Sequence, residues 1–379
     1  NQVIAPIDYD MACDVHRHLE SKGVKLYLGN GIQAIADNGK SLEISLQKGA
    51  ISAEMLILAI GVKPETRLAR ETGILVNERG SIVVNEHMKT SQNDIYAVGD
   101  AIEITDFVTG GKGFVPLAGP ANKQGRIAAD NICGIPSVYT GTQGSSILKV
   151  FDLTVASTGI NEKTAKRMGL NYEKSFTYSG NHAGYYPDSA NMSVKIIFEK
   201  ETGKVLGAQI VGYEGTDKRS DVFATAIRAG MTVFDLTRLE LCYAPPFGSA
   251  KDPVNMAGFV AENILMRRVK IFHWHEVNDL PKDGSVTLLD IRTVPEYENG
   301  HIDGFQNIPL DSLRENLVQL DREKAVYVTC QVGHRGYVAA RILSQNGFDV
   351  YNLSGGYRLY NGIYSAHPCS KKYPCNKNI

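Results

Sequence analysis

Apolar residues recur at helical spacing over residues 10–21, where Met11, Val15 and Leu19 share one face and Gly23 supplies a stop. The pattern then shortens. GVKLYLGN (23–30), LEISL (42–46) and the unbroken apolar run MLILAI (55–60) predict strands, the last of them buried and ended by Gly61. A helix, a strand and a hairpin in this order are the closing elements of a nucleotide-binding α/β unit, without its opening strand and glycine turn. GNGIQA (29–34) matches G-x-G-x-x-A after a strand, but Asp37, Asn38 and Gly39 interrupt the helix such a loop must open. A strand-to-turn passage is the expected reading there. Short strands continue to about residue 139, including DIYAVGDA (94–101), with a glycine loop at 110–113 and a helix from near Gly119.

Pro136 and the run TGTQGSS suggest a boundary around 137–146. Beyond it, SVKIIFE and KVLGAQIVG alternate with helical stretches near 218–229 and 253–267, which predicts an α+β domain with a half-exposed antiparallel sheet. From about Lys270 the α/β rhythm restarts as VTLLD, a helix, NIPL, a helix, VYVTC, a helix and VYNLSG. The polar, basic tail at 366–379 is expected to attach loosely.

Composition narrows the function classes. With 379 residues the chain has room for two or three domains, and a net charge of -1 argues against a nucleic-acid coat or a polybasic membrane anchor. The longest apolar run is too short to span a bilayer, and NQVIAPIDYD lacks the basic and apolar regions of a secretory signal. Six scattered cysteines are too few for a disulfide scaffold, so a reducing cytoplasm is the expected location. Cys13 sits in a helix beside Asp14, which should raise its pKa, and reads as structural. Cys133 and Cys242 read as packing residues, and His273 and His275 around Trp274 as inter-domain packing. Cys369 and Cys375 lack a second ligand pair nearby, so no metal site is assigned.

The sharpest chemistry lies in VYVTCQVGHRGYVAARIL, where a strand runs into Cys330 and Arg335 opens a helix five residues later. Such a loop aims backbone N–H groups at an anion near the positive end of a helix dipole. That setting is expected to lower the Cys330 pKa and make it a thiolate nucleophile, with Gly333 and Gly336 supplying positive φ angles.

C-x-x-G-x-R after a strand resembles the active-site loop of the rhodanese family. LLDIRTVPEYENGHIDGFQNIPL adds the family's D-x-R and G-H-I-x-G-x-x-N-I-P elements through Asp290, Arg292, Gly300, His301, Gly304, Asn307 and Pro309. The resemblance implies that Cys330 carries a persulfide, while Gln331, Val332, Gly333 and His334 with Arg335 hold the sulfur and its anionic donor. Asp290 and Arg292 are expected to brace the loop, and His301 to order a turn. Tyrosine-phosphatase-like loops are similar but place five residues between cysteine and arginine, where this chain has four.

Earlier segments resemble the pyridine nucleotide-disulfide reductase family. LAIGVKPET (58–66) and TSQNDIYAVGDA (90–101) match its two later motifs, and VPLAGPANKQGRIAADNI (115–132) its flavin-facing helix. The resemblance implies that Gly99 and Asp100 meet the ribityl chain of FAD and that the Pro116, Leu117 and Ala118 backbone approaches its ring. HAGYYP (182–187) and ELCYAPPFGSAKDPVNMAG (240–258) are similar to coenzyme A-disulfide reductases, a group also found fused to a C-terminal rhodanese. By that resemblance Tyr185 and Tyr243 reach a partner subunit's flavin site in a homodimer and hydrogen-bond the coenzyme A sulfur, and Asn122 and Lys251 contact coenzyme A.

The implied fold is α/β: a remnant of a two-dinucleotide-binding-domain flavoprotein, an α+β dimerisation domain and a C-terminal α/β rhodanese domain. The expected boundaries are 1–60 for the last part of an NAD(P)H-binding domain, 61–145 for that of an FAD-binding domain, 146–268 for dimerisation and 270–365 for rhodanese. The family's glycine loops and redox cysteine are not in the sequence, so the resemblance implies a C-terminal portion of the whole architecture. The implied activity is FAD- and NADH- (or NADPH-) dependent reduction of coenzyme A disulfide, coenzyme A persulfide or polysulfide, coupled to sulfur transfer through Cys330. Its substrates are small thiols and persulfides. Alternatives are an NADH oxidase- or peroxidase-like flavoprotein with a rhodanese passenger, and a sulfur carrier that reduces nothing.

Overall fold

The computed structural model describes residues 1–365. Helix α1 (Tyr9–Ser21) matches its predicted span, but residues 23–30 form loop and turn in place of the expected strand. Strands β1 (Ile32–Asp37), β2 (Leu42–Leu46) and β3 (Ala50–Ala53) form an antiparallel meander, with β2 coinciding with LEISL. GNGIQA thus runs through a turn into a strand and opens no helix.

MLILAI departs from expectation. Residues 55–60 form no strand, and all but the half-buried Leu56 lie exposed, Ile60 at 87% of its full accessibility. A parallel-type strand is ordered by the ladders on its flanks, and among the described residues none lies beside this run. DIYAV likewise makes only an isolated bridge, Lys89 with Tyr96, and no sheet strand. Helix α2 (Arg67–Glu71) and the short pair β4 (Ile104–Thr105) and β5 (Lys112–Gly113) precede α3 (Ala118–Ile132). Met88, Ile102, Ile104 and Ala128 form the small core here, within a compact unit of residues 1–2 and 25–146.

The second unit holds residues 3–24 together with the chain from Ile147. Its first sheet has the order β6 (Ser146–Val150), β7 (Leu153–Gly159), β10 (Val205–Gly212), β9 (Asn191–Glu199), β8 (Tyr172–Gly180), with α4 (Glu162–Arg167) between β7 and β8. Helices α5 (Thr216–Arg228), α6 (Val233–Leu236) and α7 (Pro253–Leu265) follow, and the pairs among β7 to β10 are antiparallel. The sheet is not half-exposed as expected, because every residue of β10 is buried. Alternation turns Ala208 and Ile210 toward the side of α5 and leaves Gln209 and Val211 for α1. Met11 and Val15 of α1 join Leu153, Val155, Phe176 and Val211 in one core cluster.

This covered face is partly ionic. Lys195, fully buried and opposite Gln209 in the sheet register, lies 3.0 Å from Asp8, 2.9 Å from Asp10 and 2.8 Å from Glu162. Burial alone would discharge this ammonium, but Asp10, Asp8 and Glu162 outweigh it and hold its pKa above the ordinary lysine value. Burial likewise opposes charge on Asp8 and Glu162, and the Lys195 ammonium overcomes it, keeping both carboxyls below their usual range. A buried cation with three carboxylates fixes where the acidic start of α1 must sit.

The remaining elements are β11 (Lys270–Phe272), β12 (Thr287–Asp290), α8 (Val294–Glu298), β13 (Gln306–Asn307), α9 (Leu313–Asn316), β14 (Val326–Thr329), α10 (His334–Gln345), β15 (Val350–Leu353) and α11 (Gly356–Ser365). They form a five-stranded parallel sheet in the order β11-β15-β14-β12-β13. Leu359 and Ile363 of α11 join the Met11 and Val15 core cluster, and polar contacts tie this α/β layer to its neighbours in the unit: Trp274 Nε1 donates to Asp10 at 3.4 Å, His273 meets Glu173 at 3.0 Å, and Arg358 lies over the Tyr178 ring. The packing expected of His273 is therefore realised, while His275 is exposed and meets the rings of His273 and Trp274. The tail with Cys369 and Cys375 lies outside the described residues.

Candidate active site

Strand β14 delivers Cys330 to the carboxyl end of the parallel sheet, where α/β folds place their ligands. Residues 331–333 then turn into α10, whose N-cap is Gly333 at φ +99°. The Gly333 N–H donates to Cys330 Sγ at 3.1 Å. Gly336 has no positive φ, contrary to expectation; a Cβ there would stand 2.0 Å from Asn352 Oδ1, so close approach is what requires glycine. Asn352 Nδ2 in turn donates to the Gly333 carbonyl at 3.1 Å. From α11 the Tyr357 N–H donates to the Cys330 carbonyl at 2.7 Å and the Arg358 N–H to that of Gln331 at 2.9 Å.

Asp290 and Arg292 brace the loop as expected. The fully buried Arg292 donates to both Asp290 oxygens, to the Gly300 carbonyl at 2.8 Å and to Gln331 Oε1 at 3.4 Å, over the Tyr357 ring. His301 orders its turn by donating from Nδ1 to the Tyr297 carbonyl and stacking on that ring.

The electrostatics differ from expectation at two points. Cys330 is fully buried, and burial pushes its thiol up; the amides of Gly336, Val332 and Gly333 and the Arg335 charge pull the other way without prevailing. Arg335 does not stand open toward a donor either. Its two terminal nitrogens donate to the Glu296 oxygens at 2.7 and 2.6 Å. Glu296 also accepts from the Thr293 N–H and hydroxyl, closing a capping box on α8. Hydrogen bonding by Arg335 holds its carboxyl down at about 2. Val332 is half-buried and His334 is exposed at the first position of α10.

Tyr185 and Tyr243 meet with their phenolic oxygens 3.2 Å apart, both rings exposed. The hydrogen bond to Tyr243 raises the Tyr185 pKa. Lys251 is exposed and next to Asp252, which caps α7 and pairs with buried Arg219 at 2.7 Å. In the first unit, Gly99 at φ +74° starts a short 3-10 turn, its N–H held by Gln124 Oε1 at 2.8 Å, and Asp100 is exposed beside it. Leu117 caps α3 without a side-chain hydrogen bond, so the amides after Pro116, at Ala118 and Gly119, open the helix uncapped, with Asn122 bonded back to the Ala118 carbonyl. A free carboxylate beside an open helix N-terminus is a donor and acceptor set that fits hydroxyls and a carbonyl of a flavin.

Of the other cysteines, Cys13 is structural as expected, burial first and then Asp10 pushing it up to about 12. Cys133 and Cys242 are exposed, so they are not packing residues. Sequence reasoning missed Glu296, Asn352 and Gly356. The Thr293-x-x-Glu296 spacing signalled the helix cap, yet nothing local pointed to Arg335. Gly356, at φ +60°, is needed because a Cβ would meet the Cys330 carbonyl at 2.5 Å.

Comparison with known proteins agrees with this construction. The model of pyridine nucleotide-disulphide oxidoreductases matches residues 1–125, that of their dimerisation domain 145–253, and that of the rhodanese-like domain 273–362. The crystal structure of reduced Bacillus anthracis CoADR-RHD superposes with a TM-score of 0.93 at 49% identity, covering 96% of this chain and 65% of that one. An NAD-dependent persulfide reductase from A. fulgidus does so with a TM-score of 0.86 at 38% identity, over 94% and 65%. Coenzyme A disulfide reductase of Staphylococcus epidermidis is 32% identical over 68% of this chain and 58% of its own. The chain spans 46 to 58% of the length of the curated relatives it matches.

Proposed function

For a chain that belongs to the pyridine nucleotide-disulphide oxidoreductase family and carries a rhodanese-like domain at 273–362, we propose sulfane-sulfur transfer at Cys330 coupled to reduction of coenzyme A persulfide, polysulfide or disulfide. The observation that carries the reading is the Cys330 loop, with the Gly333 amide on Sγ and α10 behind it. As sulfur arrives, Cys330 attacks as thiolate, and the loop amides with the α10 N-terminus hold the charge on the terminal sulfur of the resulting persulfide.

Asp100 would accept from ribityl hydroxyls of FAD, and the uncapped amides of Ala118 and Gly119 would face its ring. FAD and NADH or NADPH supply hydride chemistry when bound. Tyr185 and Tyr243 would reach the partner subunit's flavin site, one hydroxyl donating to the other and the second donating to the coenzyme A sulfur, while Lys251 and Asn122 would each contact coenzyme A. The relatives named for coenzyme A disulfide and persulfide reduction support this assignment, and the match to a dimerisation domain supports a homodimer. Free thiols at all four described cysteines suit a reducing cytoplasm.

The test is intact-mass analysis after incubation with thiosulfate or a thiol hydropersulfide. The chain should gain one sulfur atom, cyanide should remove it, and Cys330→Ser should gain none. Loading of Cys330→Ser would end the assignment.

A further inference from the structure

We infer that Glu296 sets the donor specificity of the Cys330 loop by neutralising Arg335. The loop then selects sulfane donors whose reacting end carries at most one negative charge, such as a thiol hydropersulfide, over compact dianions such as thiosulfate. This rests on the sulfur-transfer reading of Cys330.

Nη1 and Nη2 of Arg335 each donate to one Glu296 oxygen, a bidentate arrangement that occupies the end-on fork and matches the guanidinium charge with a carboxylate. The carboxylate is placed independently of that pair. Thr293 donates to it from its N–H at 3.0 Å and its hydroxyl at 2.9 Å, so Glu296 stays where it is if Arg335 moves. The second guanidinium at the loop, Arg292, is matched in the same way by Asp290. Arg358, which follows the loop-bracing segment, is turned onto the Tyr178 ring. Each guanidinium bonded at the loop thus carries its own carboxylate, and what remains for a ligand is the set of backbone amides and the α10 dipole. Those donors suit a terminal sulfur with one charge.

The two transfers differ in the charge they bring. With a hydropersulfide, Cys330 thiolate attacks the outer sulfur of R–S–SH; the S–S bond breaks, a new one forms to Cys330, and RS⁻ leaves. With thiosulfate the same attack expels sulfite, and two negative charges must enter beside the Glu296 carboxylate. At contact distances in a half-exposed site, this repulsion is worth about tenfold or more in binding.

The experiment measures kcat/KM for thiosulfate and for coenzyme A hydropersulfide with the wild-type chain, Glu296→Gln and, as a net-charge control, the exposed Glu298→Gln. Glutamine still closes a capping box, so the α8 start is kept. The thiosulfate-to-hydropersulfide ratio should rise about tenfold in Glu296→Gln, chiefly through a lower KM for thiosulfate, and should not move in Glu298→Gln. Thr293→Val, which removes a cap contact but keeps the carboxylate, should leave the ratio near wild type. If Glu296→Gln unfolds, Glu296→Ala is read by the same ratio. An unmoved ratio, or equal losses with both donors, overturns the inference while transfer still depends on Cys330. Transfer surviving Cys330→Ser overturns the sulfur-transfer reading and this inference with it.

Discussion

Tyr185 and Tyr243 hold their hydroxyls 3.2 Å apart although 58 residues separate them in the chain. One of the two must donate to the other, and Tyr185, otherwise exposed, ionises later because of that bond. In Tyr243→Phe the Tyr185 pKa is expected to fall back toward about 10. Ultraviolet titration of the variant against wild type measures this, and superimposable phenolate curves after allowing for one tyrosine fewer would rule the pair out in solution.

Gly336→Ala is expected to damage the Cys330 loop from behind. Its new Cβ would stand 2.0 Å from Asn352 Oδ1, forcing Asn352 off the Gly333 carbonyl it now holds at 3.1 Å. The Gly333 carbonyl keeps the Tyr337 N–H at 2.9 Å, so the cost is about 0.5–1.5 kcal/mol for the lost Asn352 hydrogen bond, together with a fall in persulfide loading. Thermal melts and intact-mass loading report the two effects separately.

Lys195→Met removes the only cation within reach of Asp8 and Asp10 in the bonds described for them, while Glu162 keeps Lys174 and Lys166. Breaking a buried ionic cluster on one side costs about 3–5 kcal/mol. Urea unfolding should show that loss at neutral pH. The gap to wild type should narrow in acid, because the Lys195 charge holds the Asp8 pKa down and, together with Lys174, that of Glu162, and both lose that stabilisation as they protonate.

Glu173 gives the β8–His273 contact a defined pH window. Burial opposes its charge, but the His273 hydrogen bond and charge win and bring its pKa down to about 2. A carboxyl depressed on folding contributes stability above its unfolded pKa, near 4.3, and loses it as pH falls toward the folded value. Glu173→Gln is therefore expected to melt below wild type at pH 6, by about 1–2 kcal/mol after discounting for partial exposure, and alongside it near pH 2. Parallel melting curves across that range would remove the contact from the stability of the unit.

Elements whose signals are local were legible in the amino-acid pattern. LEISL, VTLLD, VYVTC and the helix after Arg335 appear where their periodicity places them, because a strand or helix with a strong pattern and a turn at each end carries its own instructions. Cys330 with its glycine turn was legible for the same reason: strand, loop and helix start are contiguous. What the local pattern could not determine was pairing at a distance. MLILAI reads as a buried strand, yet a strand exists only when another lies alongside to take its hydrogen bonds, and residues 55–60 have none among the described residues. Arg335 reads as an open anion clamp until folding brings Glu296 against it from 39 residues away. Lys195, buried in the face expected to be exposed, is tolerated because Asp10 arrives on α1 from 185 residues upstream to join Asp8 and Glu162. Charge is long-ranged in a low-dielectric interior while sequence patterns are short-ranged, so the partners of the buried charges were decided by the tertiary structure alone.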